Sequence, residues 1–410
     1  MAAEATAVPA GAPGSPPVGA PVAPDVAGTG PAPVVSAGRF PALDGLRALA
    51  VLLVVATHVG FQTGVTYRGT LGAVLSRGDM GVTVFFLLSG FLLYTPFVRA
   101  ALSGGPAPAV RPYLRNRVLR VLPAYWVLLA VVLPTLDRSA PAGNLVANVL
   151  LLHVYPRGGL LAGLTQTWSL AVEVAFYLAL PLLARLARPR GPRGEAAQLR
   201  AEARLLGGMV GAALVWTLVV RSGVLDERVA ALWLPQFLDW FALGMGFAVL
   251  RAWHDRSGLA RVLDQLGDAA GSCWAVAALL FWLTTTPLAG PRGLDPPTTW
   301  EALAKHVLYG LASAALLLPA VFGTDGRSPV RRLLESRPAR RLGRISYGVF
   351  LWHLLVLDVV FRVTPLDPFD GHALAVTALV LPLSLLAAEL SLRLVEEPAL
   401  RWKRGTLPRR

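Results

Sequence analysis

The sequence predicts an all-α polytopic membrane protein with about ten transmembrane helices and both termini in the cytoplasm. Three observations predict it. Of 410 residues, 55% are hydrophobic and only 15% are charged, whereas a soluble protein carries about 25% charge. Apolar runs close to the roughly 20 residues that span a bilayer recur along the whole chain. The loops between them alternate between arginine-rich and nearly uncharged. The formal charge of +14 therefore reads as the positive-inside bias of a membrane protein and needs no nucleic acid to explain it. A single cysteine, Cys273, excludes an intrachain disulfide framework and leaves no cysteine cluster for zinc.

Residues 1–38 are Ala, Pro, Gly and Val with almost no charge, a composition that builds no core. They read as a disordered cytoplasmic tail that stays on the protein, since they lack the basic start and single apolar block of a secretory signal. A transmembrane domain covers 39–403, and 404–410 is a basic C-terminal tail. The spans fall near 44–63, 80–99, 117–136, 167–187, 205–222, 232–251, 268–288, 302–323, 344–362 and 373–395.

Their order is justified by the charges between them. After the second span come Arg99, Arg111, Arg115, Arg117 and Arg120. After the fourth come Arg185, Arg188, Arg190, Arg193, Arg200 and Arg204. Arg251, Arg256 and Arg261 end the sixth, and Arg327, Arg331, Arg332, Arg337, Arg340, Arg341 and Arg344 follow the eighth. Arg401, Lys403, Arg404, Arg409 and Arg410 close the chain. Residues 144–155 are apolar but too short to cross. Counting them would also carry the basic loop at 185–204 outside, so they read as a re-entrant or interfacial element.

Chemistry concentrates in five motifs. Arg47 and His58 lie eleven positions apart on the first span. That is about 16 Å along a helix on nearly one face. Ionisable residues inside a membrane avoid lipid and mark a functional path. His58 is a candidate general base. On the second span, Ser89 and Gly90 are small enough for close helix packing, or for Ser89 to bond a ligand. Arg117 and Arg120 share a helix face and suit phosphate, or lipid headgroups. Trp168, Ser169 and Glu173 open the fourth span, with Glu173 in an apolar helix. Counted from opposite faces, Glu173 reaches the depth of His58 and is its expected partner. Trp168 and Tyr177 read equally as interface belt residues. On the ninth span lie Tyr347 and His353, the latter a further support residue or a satisfied polar group in a bundle. Glu396-Glu397-Pro398 reads as a helix stop.

Over about 39–403 the set and order of these motifs resemble the acyltransferase-3 family, integral membrane proteins of bacteria that O-acylate sugars and other hydroxyl compounds. The resemblance is carried by Arg47-x10-His58, by Phe85-Phe86-x-x-Ser89-Gly90, by Arg117-x-x-Arg120, by Trp168-Ser169-Leu170-x-x-Glu173 and by Ser346-Tyr347 through His353. Phe350 stands where the family commonly has Tyr, which removes a hydroxyl. The resemblance implies an O-acyltransferase of the plasma membrane with acyl-CoA, commonly acetyl-CoA, as donor substrate. No metal and no permanently bound cofactor are expected. Catalysis falls to His58 and Glu173, donor binding to Arg47, Arg117 and Arg120, and support to Ser89, Trp168, Ser169, Tyr347 and His353. The expected partners are membrane lipids, acyl-CoA and a carbohydrate or other hydroxyl acceptor, including glycosylated secondary metabolites. The oligomeric state is left open. A transporter or flippase of a lipid-linked sugar is the rival, since intramembrane Arg, His and Glu serve binding or proton relay as well. The lack of a visible inverted repeat weighs against it.

Overall fold

A computed structural model describes residues 40–135, 141–189, 194–254, 258–293, 295–323 and 328–405, without the side chains of 135 and 402–405. The tail 1–38, Arg190, Arg193, Arg256, Arg327, Arg409 and Arg410 lie outside the described residues. The described residues form helices and no strand. In chain order the helices are α1 (Pro41–Gln62), α2 (Gly69–Leu75), α3 (Met80–Leu102), α4 (Val110–Val132), α5 (Ala142–Val149), α6 (Trp168–Leu186), α7 (Glu195–Arg221) and α8 (Glu227–Ala230). They continue as α9 (Leu238–Trp253), α10 (Ala260–Asp268), α11 (Ala270–Thr284), α12 (Thr299–Val321), α13 (Pro329–Leu334), α14 (Arg337–Val363), α15 (Ala373–Ser391) and α16 (Glu397–Gly405).

Each of the ten expected spans contains a helix. Seven are long and apolar enough to cross a membrane, and an eighth is the bent pair α10–α11. Two helices fall short of that measure for different reasons. In α4, four arginines crowd the first three turns. α9 has only 16 residues, but a 3-10 turn over Leu234–Phe237 runs into it. Together they reach about 32 Å, enough for a core of roughly 30 Å. The seventh expected span, 268–288, falls on α11, which has only 15 residues and meets the preceding α10 at 76°. Gly267 precedes the break and lies against the backbone of Phe322 and Gly323, where a Cβ would collide. The segment read as re-entrant holds only the eight-residue α5. Its Asn148 amide donates to the Asn144 and Gly159 carbonyls at 2.8 Å each. Tyr125 in turn donates to the Asn148 carbonyl at 2.7 Å.

At the centre, α3 packs on α9, α1 and α6, while α1 packs on α14 and α3. The α3–α9 crossing is made close by glycines on both sides. Gly90 faces the Phe241 carbonyl and Gly244 the Leu87 carbonyl, and neither leaves room for a Cβ. Small residues allow this approach where lipid gives helices no hydrophobic reason to associate. Around it, Phe86 stacks on Phe241 at 4.7 Å, and Phe241 on Phe176 at 3.9 Å. This aromatic column holds α3, α6 and α9 in fixed register and so sets the position of Ser89 and Glu173.

Candidate active site

The motif residues from five helices converge on one cavity of about 150 Å³. Arg47 of α1, Ser89 of α3, Arg117 and Arg120 of α4, Ser169 and Glu173 of α6, and Tyr347 of α14 all line it. Tyr177, Ser346, Phe85 and Phe350 complete its polar and aromatic wall. Its charge is unbalanced. Three arginines line it, and Glu173 is the one acid among the lining residues. Arg47 is held by Asp44 at 3.8 Å, and Arg120 by Glu396 at 3.4 Å. Arg117 has no ion pair among the described residues; its guanidinium lies 6.0 Å from the Tyr177 ring, and its buried Nε has no partner. A buried cationic nitrogen left unpaired is costly, so the arrangement favours an anionic ligand.

Glu173 accepts a hydrogen bond from the Ser89 hydroxyl. This corrects the expected partnership of Glu173 with His58: no hydrogen bond joins them among the described residues. Depth along the bundle is readable from the chain, but position across it is not. α3 packs on both α1 and α6. His58 meets His353 of α14 instead, Nδ1 to Nε2 at 3.2 Å.

The histidine pair carries its own proton assignment. His353 Nδ1 lies 2.7 Å from the Phe350 carbonyl, and His58 Nδ1 lies 2.8 Å from the Val54 carbonyl. Carbonyls only accept, so both Nδ1 atoms carry hydrogen. His353 Nε2 then shares, at the longer distance of 3.2 Å, the Nδ1–H that His58 donates to Val54. The lone pair of His58 is placed on Nε2, and no hydrogen bond to Nε2 occurs among the described residues. That is the state of a base awaiting a proton. The pair adjoins the cavity through Phe350, whose ring is 6.1 Å from that of His353 and 6.4 Å from that of Phe85.

The other expected support residues divide. Tyr347 donates to the Val121 carbonyl at 2.8 Å, and Ser169 to the Gln166 carbonyl at 3.3 Å. Trp168 does not line the cavity. Its ring meets Phe86 edge-on at 6.4 Å and Phe237 at 5.3 Å. Two residues were not marked for this site by the sequence. Tyr177, read as a belt residue, is buried beneath Arg117. Glu396, read as a helix stop, is 2% exposed and pairs with Arg120. A π-helical turn over Leu392–Glu396 re-aims it inward. The acid next to Arg120 could have been sought among the carboxylates at apolar-span ends.

The acyltransferase domain that defines the acyltransferase-3 family matches residues 40–389. The chain belongs to this family. It is 31% identical over 337 residues to the acyltransferase MdmB of Streptomyces mycarofaciens, covering 78% of this chain and 79% of that protein. It is 25% identical over 385 residues to the peptidoglycan O-acetyltransferase OatA of Listeria monocytogenes, 87% of this chain and 55% of that one. It is 25% identical over 410 residues to nodulation protein 10 of Rhizobium leguminosarum bv. viciae, 93% of this chain and 99% of that one. The match thus spans little more than half of OatA, but nearly all of the nodulation protein. No solved structure matches the chain. An acyltransferase of this family with several membrane-crossing helices is a multi-pass membrane protein.

Proposed function

We propose that this acyltransferase moves an acyl group, acetyl in the simplest case, from acyl-CoA to a hydroxyl of a carbohydrate or glycosylated acceptor, in the plasma membrane. The observation that carries the donor is the cavity with three arginines and one acid. Coenzyme A is rich in phosphate, and Arg117 has donors to spare for it. Arg120 and Arg47 add charge from the early turns of α4 and α1. By the positive-inside rule these turns face the cytoplasm, where acyl-CoA is made, with both termini on that side.

The thioester end then lies toward Phe85 and Phe350, beyond which stand His353 and His58. His58 Nε2 takes the proton of the acceptor hydroxyl as its oxygen attacks the thioester carbonyl. The C–O bond forms, the C–S bond breaks, and the thiolate leaves with the proton from the imidazolium. The products are an ester and free thiol. His353 positions His58 by accepting from Nδ1–H, and Glu173 sets the field of the donor cavity. The names of MdmB and OatA support acyl transfer, and OatA supports an oxygen acceptor.

Titration of the purified protein with acetyl-CoA tests the donor. Mass spectrometry of glycans and metabolites from cells with and without the protein identifies the acceptor. Saturable donor binding and one product heavier by an acetyl group are expected. Absence of both sinks the reading.

A further inference from the structure

A second cavity of about 270 Å³ lies at the other end of the bundle, where α3, α6 and α12 begin and α7 ends. Its wall holds Trp168, a motif residue that does not line the donor cavity, beside Phe237 and Trp240. Trp240 lies 5.3 Å from Phe237 and donates its indole N–H to the His306 carbonyl at 3.1 Å, which fixes its face. Facing these rings are Asp79 with Lys305 at 2.8 Å, and Arg221 with Glu227. Gln236 donates to Thr217 at 2.9 Å. Among the lining residues Asp79 and Glu227 balance Lys305 and Arg221, and His306 is matched by Asp239 at 2.8 Å, in contrast to the donor cavity.

The two cavities share Val82 as a wall residue. Asp79, three positions before it, follows Gly78, which packs against Leu53 and Thr57 of α1, the latter next in the chain to His58. The second cavity therefore adjoins the stretch of α1 that carries His58.

We infer that this second cavity is the acceptor subsite and takes a neutral sugar ring. The half-buried Trp168 ring, backed by Phe237 and by Trp240 stacked on His306 at 4.2 Å, suits the apolar face of a pyranose. Lysine, carboxylate and amide groups with hydrogen-bonding capacity left over suit its hydroxyls. The absence of net charge offers no advantage to an anionic sugar. Donor and acceptor then enter from opposite ends and meet at His58. This inference rests on the acyl-transfer reading above.

The probes are methyl β-glucopyranoside and methyl β-glucuronide, which differ by one carboxylate. Binding of each to the purified full chain is measured by equilibrium dialysis, without donor. The glucoside is expected to bind saturably and more tightly than the glucuronide. Glu227 is 46% exposed on its side chain, so Glu227→Gln tests charge with little risk to folding. It should narrow the preference by about threefold, the worth of a partly exposed charge pair. Gln236→Leu should weaken the glucoside about fivefold, the loss of one hydrogen bond. Acetyl-CoA binding should stay at the wild-type level in both. Failure of both sugars to bind, or binding that neither substitution alters, overturns the subsite. Glucoside binding with this pattern but no acetyl transfer keeps the subsite and overturns the transferase reading instead.

Discussion

His58 Nδ1–H donates to the Val54 carbonyl at 2.8 Å and shares that proton with His353 Nε2 at 3.2 Å, which leaves the His58 lone pair on Nε2. A positioned general base contributes roughly 100- to 10,000-fold. His58→Ala should therefore keep donor binding and lose acetyl transfer by about that factor. His58→Gln should be nearly as inactive, because an amide takes no proton at neutral pH. His353→Gln keeps an oxygen able to accept from Nδ1–H, whereas His353→Leu does not. Leu should lower kcat about fivefold, the worth of one hydrogen bond, and Gln should restore most of it. Wild-type rates in His58→Ala would refute the mechanism. If neither histidine matters while a labelled glycolipid is carried across, the chain is a transporter.

Arg117 and Arg120 look alike in sequence and should behave differently. Arg117 has no ion pair among the described residues, so Arg117→Ala strands no acid and removes, besides its contact with the Tyr177 ring, what it gives the ligand. Donor affinity should fall roughly tenfold or more, the worth of a hydrogen bond to a charged group. The residual binding should be less sensitive to salt. Arg117→Lys should rescue only partly, since it lacks the planar fork. Arg120→Ala also strands Glu396, which is 2% exposed. Breaking such a pair costs about 3 kcal/mol or more, so its unfolding midpoint should drop. Arg120→Ala with Glu396→Gln should recover the stability but not the affinity. Titration calorimetry and thermal unfolding in detergent read the two effects apart. Unchanged donor affinity in Arg117→Ala would reassign the arginine to lipid anchoring.

Glu173 separates binding from catalysis. Glu173→Gln keeps an oxygen for the Ser89 hydroxyl and removes the one acid lining the donor cavity. Donor KM should fall about threefold, as for a partly exposed like-charge relief. Glu173→Leu strands Ser89 and should weaken binding. A selective collapse of kcat in Glu173→Gln, with KM unmoved, would restore Glu173 to the proton-transfer step.

The ten helices were legible because hydropathy and arginine alternation act along the chain. The cavity was legible as a set because Arg47, Ser89, Arg117, Arg120 and Glu173 are polar residues that lipid would reject. What stayed hidden lies across the chain. His58 and Glu173 match in depth by residue counting, yet α1 turns His58 to α14. Glu396 is aimed inward by one extra residue in a π-helical turn, which no period reveals. Gly90 and Ser89 adjoin in one motif but serve packing and chemistry separately. Gly90→Ala should therefore cost about 1–3 kcal/mol of stability by pushing α3 off α9. Ser89→Ala should instead change donor binding with little effect on unfolding.

The crossing number between residues 195 and 295 tests the topology, because three elements decide it. α7 is long and apolar enough to cross. α9 reaches across only with its leading 3-10 turn, and α10–α11 is bent by 76°. If all three cross, a reporter fused after residue 195 lies in the cytoplasm and one near 295 lies outside. If the bent pair dips in and returns, or if α9 stays on one face, the two reporters share a side. Reporters near residues 224 and 258 tell these cases apart. Residue 224 follows α7 and should be outside, and residue 258 follows α9 and should be cytoplasmic. The basic residues Arg188 and Arg200 before or within α7, and Arg251 and Arg261 around the end of α9, pull in that direction. Accessibility of single cysteines at the four positions, in a Cys273→Ser background, measures it without a fusion. Labelling of 195 and 295 from the same side would remove one crossing. It would also place the Trp168 cavity and the arginine cavity on faces that the charge rule does not assign.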